Sequence, residues 1–130
     1  MLVVDDSATI RELLNITLGR LGIAVDFAAS GTEAIHLANQ EVYDLAFLDI
    51  TLPDIDGYRV CKRLKGEAKT KNMPVIMLTS RNTTFDRVRG MMAGTDVYLT
   101  KPLDRVSLIA AMSKYLPQYV PETGAMDGSY

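Results

Sequence analysis

The chain has 130 residues, a formal net charge of −2, a single cysteine and a single histidine. That length suits one domain able to bury roughly two thirds of its unfolded surface without disulfides or metal staples. Acids and bases are interspersed, with no basic stripe and no polybasic patch, so direct nucleic acid binding and membrane association are not expected. No apolar run approaches the ~20 residues of a membrane span, and Met1-Leu-Val-Val meets Asp5-Asp6 too soon for a secretory core. A soluble, cytoplasmic protein is expected. Cys61 has no disulfide partner and no Cys or His neighbours of a zinc site, so it reads as core filling.

The first predicted strand covers residues 2–5 and starts almost at the N-terminus, where a few lead-in residues would be expected to precede it. Ser7 is a good N-cap for a helix whose apolar positions Ile10, Leu13, Leu14, Thr17, Leu18 and Leu21 recur at helical steps until Gly22. A second strand is predicted over 23–29. Ser30-Gly-Thr-Glu33 opens a second helix with Ala34, Ile35, Leu37 and Ala38 inward and His36 off that stripe, facing solvent. The run Asp44-Leu-Ala-Phe-Leu-Asp49 reads as a strand buried on both faces, ending in a carboxylate and followed by a turn marked by Pro53 and Asp56-Gly57.

A third helix is predicted from Gly57 to about Glu67, with Val60, Cys61 and Leu64 inward. Pro74 begins a fourth strand that runs to Thr79-Ser80. Thr83 caps a fourth helix carrying Phe85, Val88, Met91 and Met92, whose methionines are expected to pack, and Gly94 ends it. A fifth strand over 96–100 leads into Lys101-Pro102, where a cis bond would aim the lysine. Asp104 caps the last helix, with Val106, Leu108, Ile109, Met112 and Leu116 on its stripe and Pro117 closing it. Residues 1–117 are thus predicted as the domain and 118–130 as a flexible tail or the start of a linker. Strands alternating with helices five times predict an α/β, doubly wound, five-stranded parallel sheet. If the acids of the first strand are to meet Asp49, strands one and three are neighbours, which is the flavodoxin-like order 2-1-3-4-5.

Ligands of such sheets bind at the carboxyl edge, and there the polar groups collect: Asp5 and Asp6, Asp49, Thr79 and Lys101. Three acids together repel unless a cation intervenes. With oxygen donors and no His or Cys, the cation of choice is Mg²⁺, which leaves positions for phosphate oxygens. Lys101 would neutralise a transferring phosphoryl group and Thr79 would donate a hydrogen bond to it. Asp49 suits the nucleophile, since an ionised carboxylate needs no general base, and Asp5 and Asp6 suit the metal.

On the Asp5-Asp6 pair, Asp49 with Pro53 and Asp56-Gly57, Thr79-Ser80, Tyr98 and Lys101-Pro102, residues 2 to about 116 resemble a response-regulator receiver domain of bacterial two-component signalling, of the chemotaxis-regulator fold. The run from Met73 to Arg81, with Phe85-Asp86 and Gly94-Thr-Asp96, is similar to receivers of the twitching-motility type. The resemblance implies phosphoryl transfer from the phosphohistidine of a histidine kinase or phosphotransfer protein to Asp49. It implies Mg²⁺ on Asp5, Asp6, Asp49 and the Thr51 backbone carbonyl, with Thr79 and Lys101 gripping the phosphoryl group. It also implies a switch through Thr79 and Tyr98 that reshapes the face of helix four, strand five and helix five for a downstream protein or output domain. Such a protein is a signalling switch rather than a turnover enzyme. Thr51 stands where the family usually has methionine and Ser80 where it usually has alanine. Thr51 and Arg81 flank the route of attacking water and would tune the lifetime of the modified state.

Other readings stay open on the residues alone. A flavodoxin would want a Ser/Thr/Gly-rich phosphate cradle where Asp5-Asp6 stand. A phosphatase working through an aspartyl phosphate would want a second acid two residues after its nucleophile, where Thr51 stands. A receiver-like binding module would lack one of the reacting groups. Any single acid at a strand end is more often a turn cap.

Overall fold

The computed structural model describes residues 1–80 and 84–119. Five strands and five helices alternate: β1 (Leu2–Val4), α1 (Ala8–Arg20), β2 (Asp26–Ala28), α2 (Gly31–Gln40), β3 (Ala46–Asp49), α3 (Gly57–Gly66), β4 (Val75–Thr79), α4 (Thr84–Ala93), β5 (Val97–Thr100) and α5 (Arg105–Tyr115). A single 3₁₀ turn, Pro117–Tyr119, follows α5. The strands form one parallel sheet in the order β2-β1-β3-β4-β5, as the clustering of acids requires.

Alternation along the central strands separates two cores. Val3, Phe47, Ile76 and Leu78 face Leu14 and Leu18 of α1 and Leu108 and Met112 of α5. Leu2, Val4, Ala46, Leu48, Val75 and Met77 face Ala34 and Ile35 of α2, Val60, Cys61 and Leu64 of α3, and Ala93 at the end of α4. A strand apolar on both faces cannot sit at a solvated surface, so helices must cover both sides. Cys61 is fully buried, as core filling demands, and His36 is exposed.

Three of the predicted caps are present: Ser7 Oγ accepts from Ile10 N, Ser30 Oγ from Glu33 N and Asp104 Oδ1 from Ser107 N. Asp56, predicted only as part of a turn, caps α3 in the same way, its Oδ1 accepting from Arg59 N. Several details differ from the sequence expectation. β2 is shorter than 23–29, because as an edge strand it has a single neighbour and pairs through only three residues, Asp26 to Ala28. Val106 is 70% exposed: it stands in the first turn of α5, on the opposite side of the helix from the buried Leu108 two residues later. Met91 and Met92 are 76% and 79% exposed and Val88 is also outward, whereas Ala93, among the described residues of α4, is buried in the core shared with α3. Leu13, Leu21 and Leu37 are half-buried rather than core. Thr83, Arg81 and the side chain of Phe85 lie outside the described residues, as do 120–130 of the predicted tail.

Gly57, the first residue of α3, is pressed against the end of β3. A Cβ there would stand 2.3 Å from the Asp49 carbonyl oxygen and 2.7 Å from Ile50 Cα, both backbone atoms that cannot yield locally. Gly57→Ala is therefore expected to lower unfolding free energy by about 2–3 kcal/mol, the cost of an overpacked rigid contact. Urea denaturation of the two proteins measures it, and Gly66→Ala, where nothing lies within 4 Å, serves as the control expected to keep or slightly raise stability.

Candidate functional site

The carboxyl edge of the sheet is built by register. β1 pairs with β3 so that Val4 lies beside Leu48, and the next residues, Asp5 and Asp49, emerge together. β3 pairs with β4 so that Asp49 lies beside Leu78, and β4 with β5 so that Thr79 lies beside Thr100. Lys101 follows directly, its N–H donating to the Thr79 carbonyl at 2.6 Å, and the Lys101–Pro102 bond is cis.

Asp5, Asp6 and Asp49 each present a carboxylate oxygen within 4.8 Å of the others. Asp5 is fully buried, Asp49 nearly so, and Asp6 exposed, so the cluster opens to solvent on one side. Asp5 is held at both oxygens: Oδ1 accepts from Ser7 N at 2.8 Å and Oδ2 from Lys101 Nζ at 3.0 Å. Lys101 Nζ also lies 3.5 Å from Asp49 Oδ2, while Asp49 Oδ1 accepts from Thr51 N at 3.4 Å. Burial pushes the Asp49 carboxyl up to about 6, the Asp5 charge adds to the rise, and the Lys101 ammonium partly offsets it. A raised value still leaves Asp49 mostly ionised at neutral pH, as a nucleophile requires.

Thr79, 1% exposed, stands at the end of β4, and Tyr98 is half-buried on β5 beside Met77, two residues before Thr79. Thr51 and Ser80 are exposed at the mouth of the site. Sequence reasoning does not single out Asp54. In the loop after β3, its carboxylate accepts hydrogen bonds from the first turn of α2, which hold it well below the usual carboxylate range. The partner helix is distant in sequence, and no local pattern marks such a contact.

The donor set suits a hard divalent cation: three carboxylates, no nitrogen or sulfur, one open side and an ammonium beside them. Residues 1–113 match the family described as the response regulator receiver domain. The chain belongs to that family. This receiver is 36% identical over 121 residues to the PilG protein of Pseudomonas aeruginosa, covering 93% of this chain and 90% of PilG. Its fold superposes with a TM-score of 0.83 on the chemotaxis protein CheY4 of Vibrio cholerae, at 30% identity, covering 88% of this chain and 96% of that one. The receiver domain of the sensor histidine kinase PA1611 of Pseudomonas aeruginosa, solved with a magnesium ion coordinated in its active site cleft, gives a TM-score of 0.81 at 29% identity over 88% of this chain and 93% of its own. Several curated regulators are longer, and the receiver spans 44% and 48% of two of them. The chain is therefore a receiver of two-component signalling, and its acidic cluster lies at the carboxyl edge of the sheet. Among the described residues no helix is long and apolar enough to cross a membrane.

Asp49 carries a pH signature of its own. Because its folded value is raised, the folded state holds this proton more tightly than the unfolded state does. Metal-free stability should therefore fall as pH rises from about 4 to about 6 and level off above. In EDTA, Asp49→Asn should raise stability at pH 7–8 by about 1–2 kcal/mol, the lost Lys101 attraction offsetting part of the gain, and the difference should vanish near pH 4. Thermal melts across that range check both sign and window.

Proposed function

We propose that this receiver takes a phosphoryl group onto Asp49 from the phosphohistidine of a histidine kinase or phosphotransfer protein. One observation carries the reading: Asp5, Asp6 and Asp49 share a cluster 4.8 Å across, with the Lys101 ammonium on two of them. An oxygen of Asp49 attacks phosphorus, the phosphorus–nitrogen bond to the histidine breaks with its electron pair returning to the imidazole, and an acyl phosphate is left on the receiver. Asp5, Asp6, Asp49 and the backbone carbonyl of Thr51 would hold Mg²⁺. When bound, that ion neutralises the carboxylates and draws charge from the phosphoryl oxygens. Lys101 supplies the second positive charge, and the Thr79 hydroxyl donates a hydrogen bond to a phosphoryl oxygen. Hydrolysis by water returns Asp49 to a carboxylate, with Thr51 and Arg81 tuning access. The domain spans 1–117, works in the cytoplasm, contacts no membrane or nucleic acid itself, and controls a downstream protein or output domain rather than turning over a substrate.

Acetyl phosphate with Mg²⁺ should add the mass of one phosphoryl group, and EDTA or Asp49→Asn should abolish the addition. Equal labelling of the Asp49→Asn protein would remove Asp49 from the role. Asp6→Ala should weaken Mg²⁺ binding in the same series.

Signalling would run through β4 and β5. A Thr79 hydroxyl drawn to the phosphoryl oxygen changes the packing beside Tyr98, whose ring borders a surface depression of about 200 Å³ lined by Met91, Thr95, Asp96 and Val97. Met91 in that lining and its neighbour in sequence Met92 are exposed and offer apolar contact. One new charge-assisted hydrogen bond, roughly 1.5–3 kcal/mol, biases two nearby states without exhausting the inactive one. With Mg²⁺ and beryllofluoride, amide chemical shifts should change from Thr79 through residues 83–99 and into α5. Changes confined to the acids and Lys101 would show that no such switch operates.

A further inference from the structure

The first turn of α2 is hydrogen-bonded twice over. Ser30 caps it, its Oγ accepting from Glu33 N at 3.1 Å, and Glu33 Oε2 accepts in return from Ala29 N at 3.1 Å. The amides that such a box leaves over would ordinarily be served by water. Here Asp54 takes them: Oδ1 accepts from Gly31 N at 2.8 Å, Oδ2 from Thr32 N at 2.9 Å, and the Thr32 hydroxyl donates to Oδ2 as well. The α2 helix, already capped, has little need of this carboxylate. The loop that carries it has more.

That loop joins Asp49 to α3. Its base is closed by Gly57 N donating to the Ile50 carbonyl at 2.7 Å, and Gly57 is jammed against the Asp49 carbonyl. Asp54 ties down the opposite bend. The N-terminus of α2 already lies close against the loop and α3: a Cβ at Gly31 would stand 2.7 Å from Val60 Cγ2 and 3.3 Å from the Ile55 carbonyl. Between the two anchors lie Thr51, Leu52 and Pro53, and Thr51 N reaches Asp49 Oδ1. The positive end of the α2 dipole strengthens a carboxylate contact of this kind.

We propose that Asp54 is a positioning residue for the acidic site: by anchoring the loop after β3 to the first turn of α2, it holds the Thr51 backbone in place for the cation and the phosphoryl group. This rests on the phosphoacceptor reading. Asp54 touches neither ion nor substrate, and its effect passes through Thr51.

The test compares Asp54→Ala, Asp54→Asn and Thr32→Val with the parent, all well below their melting temperatures. Readouts are the Mg²⁺ dissociation constant by titration, the initial rate of labelling by acetyl phosphate, and hydrogen exchange at the Thr51 and Leu52 amides in EDTA. Asp54→Ala should weaken Mg²⁺ binding and slow labelling by about 10-fold, the scale on which residues behind the ligands act. It should also speed exchange at Thr51 and Leu52. Asp54→Asn, which keeps one acceptor oxygen, should fall between Asp54→Ala and the parent. Thr32→Val should shift the same way by less. Lower melting temperatures with Mg²⁺ affinity, labelling and exchange all at parental values would overturn the proposal and leave a purely structural contact. Should Asp54→Ala not fold, parental behaviour of Asp54→Asn on all three readouts would overturn it equally. If the parent itself neither binds Mg²⁺ nor labels, the phosphoacceptor reading fails, while exchange in EDTA still reports on the anchor.

Discussion

Asp5 and Asp49 are two carboxylates brought side by side out of water, and their mutual repulsion is the constraint around which the carboxyl edge is arranged. The β1–β3 pairing forces them together, since both follow directly from paired apolar residues of neighbouring strands. Lys101 answers the repulsion from across the sheet, reaching Asp5 at 3.0 Å and Asp49 at 3.5 Å. Ser7 N satisfies the other oxygen of Asp5 at the entrance to α1. A buried charge left unpaired is costly, so this part of the fold depends on a lysine 96 residues away in sequence.

The two carboxylates are not equally committed. Asp5 has its oxygens divided between a backbone amide and the lysine, which suits a residue that stays put. Asp49 has a longer contact to Thr51 N and a longer reach to Lys101, and its carboxyl is pushed up. Strain of this electrostatic kind is what a bound cation or a new covalent bond can relieve. Around Asp49 the backbone is closely packed by Gly57 behind it, and the loop beyond is held by the Asp54 contact.

The opposite end of β4 and β5 is tied through one carboxylate. Asp96 Oδ2 accepts from both Val75 N and Lys65 Nζ at 2.7 Å, and the same lysine donates to the Met73 carbonyl at 2.7 Å, joining α3 to the start of both strands. The outward Met91 and the half-buried Tyr98 line one surface depression with Asp96. A face that exposes large apolar side chains beside a partly buried aromatic is where a change of packing would be felt outside the domain.

Element order, caps and the polar groups at the strand ends follow from local pattern. Apolar runs ending in Asp5, Asp49, Thr79 and Lys101 mark strand ends, and Ser7, Ser30, Asp56 and Asp104 each cap the helix that follows through a short-range hydrogen bond. Such signals need only residues three or four apart, and so the sequence determined them by itself. Which face of a helix is covered is a different matter: Met91, Met92 and Val106 are apolar yet exposed, because packing against α3 and the sheet uses Ala93, Leu108 and Ile109 instead. The same holds for the short β2, limited by having one neighbour, and for the Asp54 contact with Gly31 and Thr32, 23 and 22 residues away. Periodicity reports that a side chain is apolar or a carboxylate charged; only the tertiary structure decides what stands opposite it, since that depends on distances between elements that no local spacing encodes.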